Sequence, residues 1–260
     1  MTTAAILRKY LRKRFNSISA VLGKPGQRLS VADFHILRVE IKKVKAVFAL
    51  LHYCSVDFDR KKSFLPWRTL FRQAGRVREL QLELSIVSSF RLTGPVKGYT
   101  ERLTSRLKGQ KESFYKKVDP KWKKRLEKKV KAIDPFISQV TKKKLLSFLK
   151  YKRKKIKELL VKGKLKETEI HEIRQRLKEF YYLIRLFGIR EMAFKRMGDF
   201  EEVLGRWHDL AVMTGHLRRS LRSGRLTAEE HTQESTLKQK LAAKTRPLLG
   251  QIMETRKGIR

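Results

Sequence analysis

The chain has 260 residues, 41% of them hydrophobic, which supplies a core for one large domain or two ordinary ones and excludes a disordered chain. Its 64 Lys and Arg against 25 Asp and Glu leave a formal charge of +39, a self-repulsion best relieved by a polyanion: nucleic acid, an anionic membrane surface or a phosphate polymer. Cys54 is the sole cysteine, so an intrachain disulfide and a multi-cysteine zinc site are excluded, and no apolar run reaches the ~18 residues of a membrane span.

Apolar residues recur at three- and four-residue intervals nearly throughout and strand signals are almost absent, which predicts an all-α protein. From Met1 to Leu22, charges at Arg8, Lys9, Arg12, Lys13 and Arg14 interrupt every turn, so the segment reads as an amphipathic helix and not as a secretory signal. The expected location is the cytoplasm. Breaks fall at Gly23 to Gly26, Ser55 to Lys62, Gly94-Pro95, Asp119-Pro120, Gly163-Lys164, Gly188 and Gly224, dividing the chain into about eight helical segments. Ser30 with Asp33, and Thr227 with Glu230, have the spacing of a capping box, while Pro95 and Pro120 suit first helical positions. Between Asp119 and Lys162, Pro135 interrupts a run that reads as one kinked helix or as two.

One helical pattern occurs twice. His35, Arg38 and Lys42 recur as His171, Arg174 and Lys178 at a constant offset of 136 residues. At ~100° per residue, His35, Arg38, Lys42 and Lys45 share a narrow arc, with Leu37, Ile41, Val44, Phe48 and Leu51 opposite. In the second copy His171, Arg174, Lys178, Tyr181 and Arg185 face away from Ile173, Leu177, Phe180, Ile184 and Phe187. A solvated helix face normally mixes signs, yet Glu40 and Glu179 both fall off these stripes. A cationic stripe suits a linear polyanion better than a point charge. Each copy has a companion segment, Ala74-Gly75-Arg76-Val77-Arg78-Glu79 and Leu204-Gly205-Arg206-Trp207-His208-Asp209. There a small residue lets helices approach, and Glu79 and Asp209 are placed to orient a neighbouring Arg or His.

These paired segments resemble the conserved histidine α-helical domain (CHAD) family, whose pattern is a helix opening His-x-x-Arg, further basic residues at the spacing of Lys42, Lys43 and Lys45, and a later Leu-Gly-x-x-Arg-Asp-like segment. The resemblance covers essentially the whole chain. It implies two pseudo-symmetric four-helix bundles around a basic central groove or pore, residues 1–118 and 119–260, together forming one CHAD domain. It also implies binding of inorganic polyphosphate in a bacterial or archaeal cytoplasm, at polyphosphate granules, with no cofactor and no metal. By the resemblance His35, Arg38, Lys42 and Lys45 carry over as ligands in the first half, with Arg78 from the companion segment, and Lys43 and Arg76 are further candidates beside them. In the second half His171, Arg174 and Lys178 carry over and His208 stands where arginine is frequent, with Arg185 of the same face and Arg206 of the companion segment as further candidates. Glu179 and Tyr181 replace basic residues, Glu79 replaces aspartate and Ala74 replaces leucine, so the second half is expected to bind less strongly.

Arg forks and Lys point charges at regular intervals match the oxygens of such a polymer, and the stripe from His35 to Lys45 spans ~15 Å. Imidazolium donates from both nitrogens, so binding is expected to strengthen as pH falls toward ~6. A further stripe, Lys143, Lys150, Arg153, Lys154 and Lys157, lies opposite Leu145, Leu149, Ile156 and Leu159, after a run from Lys123 to Lys129, and would extend the binding surface. RNA is the main rival partner, although Tyr10, Phe48, Phe71, Phe180, Phe187 and Trp207 fall on apolar stripes, leaving Tyr53, Tyr99 and Tyr151 as candidates for base stacking. An enzyme is not expected. Phosphoryl chemistry calls for carboxylates holding metal ions, and the best clusters are only Glu79 with Glu83, and Glu167, Glu169 and His171 at a helix start. His52, His216 and His231 are isolated in sequence.

Overall fold

The computed structural model describes residues 2–24, 29–90, 96–118, 121–162, 165–189 and 192–257. These residues form ten helices and no strand: α1 (Thr3–Leu22), α2 (Val31–Cys54), α3 (Arg60–Ser89), α4 (Lys97–Lys117), α5 (Lys121–Ala132), α6 (Asp134–Ser138), α7 (Lys142–Leu160), α8 (Glu167–Leu186), α9 (Met192–Leu221) and α10 (Ala228–Lys257). The span around Pro135 is therefore three helices, with Pro135 in the first turn of the short α6, where its missing amide costs no hydrogen bond. The expected breaks at Pro25-Gly26, Gly94-Pro95, Asp119-Pro120 and Gly163-Lys164 lie outside the described residues.

Helix ends follow local chemistry. At α2, Ser30 Oγ accepts from the Asp33 amide (3.2 Å) and Asp33 Oδ2 accepts from the Ser30 amide (2.8 Å). Lys24 and the Ser30 amide together hold the buried Asp33 carboxyl below the usual carboxylate range. Thr227 and Glu230 make the same reciprocal pair before α10. After α8, Gly188 takes φ 65°, while the amide of Ile189 reaches the Ile184 carbonyl (3.1 Å) and that of Gly188 the Arg185 carbonyl (3.4 Å). That is a Schellman ending, and it needs a residue without Cβ strain.

The helices assort into two compact units. The first comprises residues 1–78, 110–159 and 175–191. Its core is the apolar side of α1 (Leu7, Leu11, Ile18) and α2 (Phe34, Leu37, Ile41, Val44, Phe48) with Trp67, Leu70 and Ala74 of α3, all at most 1% exposed. Phe48 is its aromatic centre, with edge contacts to Phe58 (5.6 Å), Phe64 (5.9 Å) and Trp67 (6.4 Å). The second comprises residues 79–109, 160–174 and 192–260. There Leu80, Val87, Tyr99 and Leu103 pack with Met213 and Leu217 of α9 and Leu237 and Leu241 of α10. Each unit takes segments from both sides of residue 118, and α3, α4 and α8 contribute to both.

Candidate functional site

In the first unit α2 buries Leu37, Ile41, Val44, Phe48 and Leu51 and carries His35, Arg38 and Lys42 on its other side. His35 is exposed, and its imidazole is held below the ordinary histidine value by partial loss of hydration and then by Arg78, Lys42, Lys178 and Arg38. The charged neighbours that weigh on this proton are thus cations from three helices, α2, α3 and α8. Such an assembly repels itself and favours any anion brought among its members.

Arg38 is placed by α3. Its guanidinium lies 4.5 Å from the Phe71 ring centroid, and its Nη1 sits 3.5 Å from the Phe71 carbonyl oxygen. The guanidinium occupies the space over Gly75: a Cβ there would lie 2.2 Å from Nη1. The small residue of the companion segment therefore admits an arginine side chain as well as a helix. Arg78, one turn further along α3, is half-buried, whereas Arg76 is exposed.

Two carboxylates collect the cations that flank this cluster. Glu40, 7% exposed, takes Arg14 (2.9 Å) and Lys43 (2.7 Å). Glu179 takes Arg60 (2.9 Å) and Lys152. Lys45 stands near Glu179 but is lowered from the usual lysine value, by desolvation first and against the pull of Glu179, with Arg60, Lys152 and Arg68 adding to the shift. Lys43 is therefore held in an ion pair with Glu40, while the exposed Lys45 stands beside the pairs of Glu179.

The second pattern divides between the units. Lys178 joins the His35 cluster, and the exposed Arg185 spreads its guanidinium 4.7 Å from the Tyr181 ring centroid. His171 and Arg174 belong to the second unit, where His171 Nδ1 and His208 Nδ1 are 3.4 Å apart with ring centroids at 4.8 Å. Arg174 lies along Gly205, its Nε and Nη2 at 3.9 and 4.0 Å from the position a Cβ would take. The arginine-over-glycine arrangement thus recurs, more loosely. Arg206 is exposed and Asp209 half-buried on α9.

Glu79 meets a residue outside the repeated stripes. Its Oε1 lies 3.1 Å from His216 Nε2, while His216 Nδ1 is 2.8 Å from Glu83 Oε2, and Tyr99 donates its hydroxyl to Glu83 Oε1. The bonds to Glu79 and Glu83 push the His216 imidazole up to about 9. His216 has no local partner in sequence; the only hint was the pair of glutamates one helical turn apart on α3. In the other acidic cluster, Glu169 is paired with Lys162 (2.8 Å). No group of three or more His, Cys, Asp or Glu among the described residues is placed to hold a metal.

On α7 the stripe of Lys143, Lys150, Arg153, Lys154 and Lys157 is exposed and Leu145, Leu149, Ile156 and Leu159 are buried. Of the three tyrosines left open as stacking candidates, Tyr99 is buried on Glu83, while Tyr53 and Tyr151 are exposed and stacked on each other. No described helix is long and apolar enough to cross a membrane.

The family model of the CHAD domain matches residues 9–218. The fold is similar to the crystal structure of the CHAD domain from the plant Ricinus communis, with a TM-score of 0.76 over 100% of this chain and 93% of that one, at 15% identity. A comparison with curated proteins finds no match. Since the family model spans most of the sequence, including both His-x-x-Arg helices and both companion segments, the chain belongs to the CHAD domain family.

Proposed function

We propose that the protein binds inorganic polyphosphate without turning it over, holding the polymer along basic helix faces of its two halves in a basic groove. The observation that carries this reading is the cluster around His35, where Arg38, Lys42, Arg78 and Lys178 converge from three helices. Arg38 and Arg78 offer planar forks, Lys42 and Lys178 compact charges, and protonated His35 two further donors, a set suited to successive phosphates of one chain. His171, Arg174 and His208 form the corresponding, less cationic set, and the exposed cations of α7 would hold further stretches. A cytoplasmic location at polyphosphate granules belongs to the same proposal. The two acidic clusters that would serve an enzyme hold His216 and Lys162 instead, which supports a binding role.

Titration of defined-length polyphosphate against the wild type and Arg38→Ala/Arg174→Ala tests the reading. The double variant should bind at least tenfold more weakly, each lost charge-assisted contact being worth ~1.5–3 kcal/mol. Because the cluster lowers His35 and a polyanion raises it, binding takes up a proton, and wild-type affinity should be lower at mildly alkaline pH than below the ordinary histidine value of ~6.5. Unchanged affinity in the double variant, or RNA binding that is tighter than that of polyphosphate at fixed salt and is itself lost in the double variant, would reject the proposal. Phosphate release in the presence of magnesium or manganese would replace it with a catalytic one.

A further inference from the structure

Tyr53, one residue from the end of α2, and Tyr151 on α7 are 45% and 43% exposed, and no other Phe, Tyr or Trp among the side chains described is as open. Their rings are stacked, 5.8 Å between centroids and 27° between planes. Both sit on helices that are fixed to one another. Tyr53 also meets the buried Phe148 ring at 5.0 Å, and Lys144 donates Nζ to the Cys54 carbonyl (2.9 Å), pinning the first turn of α7 to the C-terminal end of α2. At ~100° per residue, Tyr151 lies ~60° from Lys154 and ~80° from Lys143 around α7, so the exposed cationic stripe runs beside the ring pair.

A phosphate polymer offers nothing flat to lie on these rings. A single-stranded polynucleotide offers both a phosphate backbone for the lysines and bases for the tyrosines, whereas a duplex keeps its bases stacked on one another and out of reach. We propose that this face is a second binding site, for a single-stranded polynucleotide, in which a base stacks on the exposed surface of the Tyr151–Tyr53 pair while phosphates follow Lys150, Lys154 and their neighbours along α7. It shares with the polyphosphate reading only the cations of α7, and none of His35, Arg38, Lys42, Arg78 or Lys178 belongs to it, so the ring pair tests it separately.

The test is fluorescence anisotropy of labelled homopolymeric RNA and DNA single strands of about 15 nucleotides, a duplex of equal length and long polyphosphate against the full chain. Tyr151→Leu keeps an apolar cover but loses the flat ring and should weaken single strands about tenfold, while Tyr151→Phe retains affinity. Neither change should alter polyphosphate or duplex binding. The strand that shows the loss, RNA or DNA, identifies the ligand. Lys150→Glu/Lys154→Glu, both exposed and harmless to the core, should weaken single strands by more than tenfold. Single-strand binding unaffected by Tyr151→Leu, or lost equally with Tyr151→Phe, would overturn the site. Failure of Arg38→Ala/Arg174→Ala to weaken polyphosphate would overturn only the other proposal.

Discussion

At the scale of single residues, neighbours set what each histidine does. His35 stands among cations and is lowered, whereas His216 sits between Glu79 and Glu83 and is raised to about 9. A group raised above its unfolded value adds stability that is fully present below that value, ~6.5, and is lost as pH rises toward about 9. Denaturant unfolding of wild type and His216→Asn between pH 6 and pH 10 should therefore give a difference of ~2–4 kcal/mol at the acid end. That difference should shrink through the upper window; a pH-independent one would show that His216 is not charged in the fold. The sequence set His35 and His171 in a repeated pattern and so singled them out. It left His216 anonymous, because its partners lie more than a hundred residues away on α3.

At the scale of helices, amphipathic periodicity was legible almost everywhere: the apolar positions of α2 are buried, as are Ile173, Leu177, Phe180 and Ile184 of α8, while Phe187, one residue past its end, is half-buried. The capping pairs at Ser30 and Thr227 and the end of α8 at Gly188 were equally local, and equally readable. Gly75 was read as a point of helix approach, and only the packed side chains show that it makes room for Arg38. Gly75→Ala should leave the fold intact or gain up to ~1 kcal/mol from helix propensity, yet shift the guanidinium and weaken polyphosphate binding about tenfold. Gly205→Ala, with Arg174 at 3.9 Å or more, should gain the same stability and leave affinity unchanged. Equal affinities of the two variants would mean that the glycine does not position the arginine.

For the whole molecule the charge of +39 is the dominant quantity, and it would make the proposed association with a polyanion a counterion-release process. The logarithm of the polyphosphate association constant should fall linearly with the logarithm of salt concentration, and Arg38→Ala should reduce that slope by about one unit. A slope unchanged by the substitution would place the polymer elsewhere on the basic surface. Bound polymer should also raise the melting temperature, since it relieves repulsion in the folded state.

The sequence by itself determined the helical class, the basic character, several helix ends and the two His-x-x-Arg faces, because periodicity, capping and charge are properties of neighbouring residues. Tertiary structure decided which cations act together. It drew Lys178 to His35, gave Lys43 to Glu40 and Lys152 to Glu179, put Glu79 on His216 and left Tyr53 and Tyr151 exposed. Most of those pairings join residues far apart in the chain, and the Coulomb and desolvation energies that make a cation a ligand or a strut depend on distances that only packing sets.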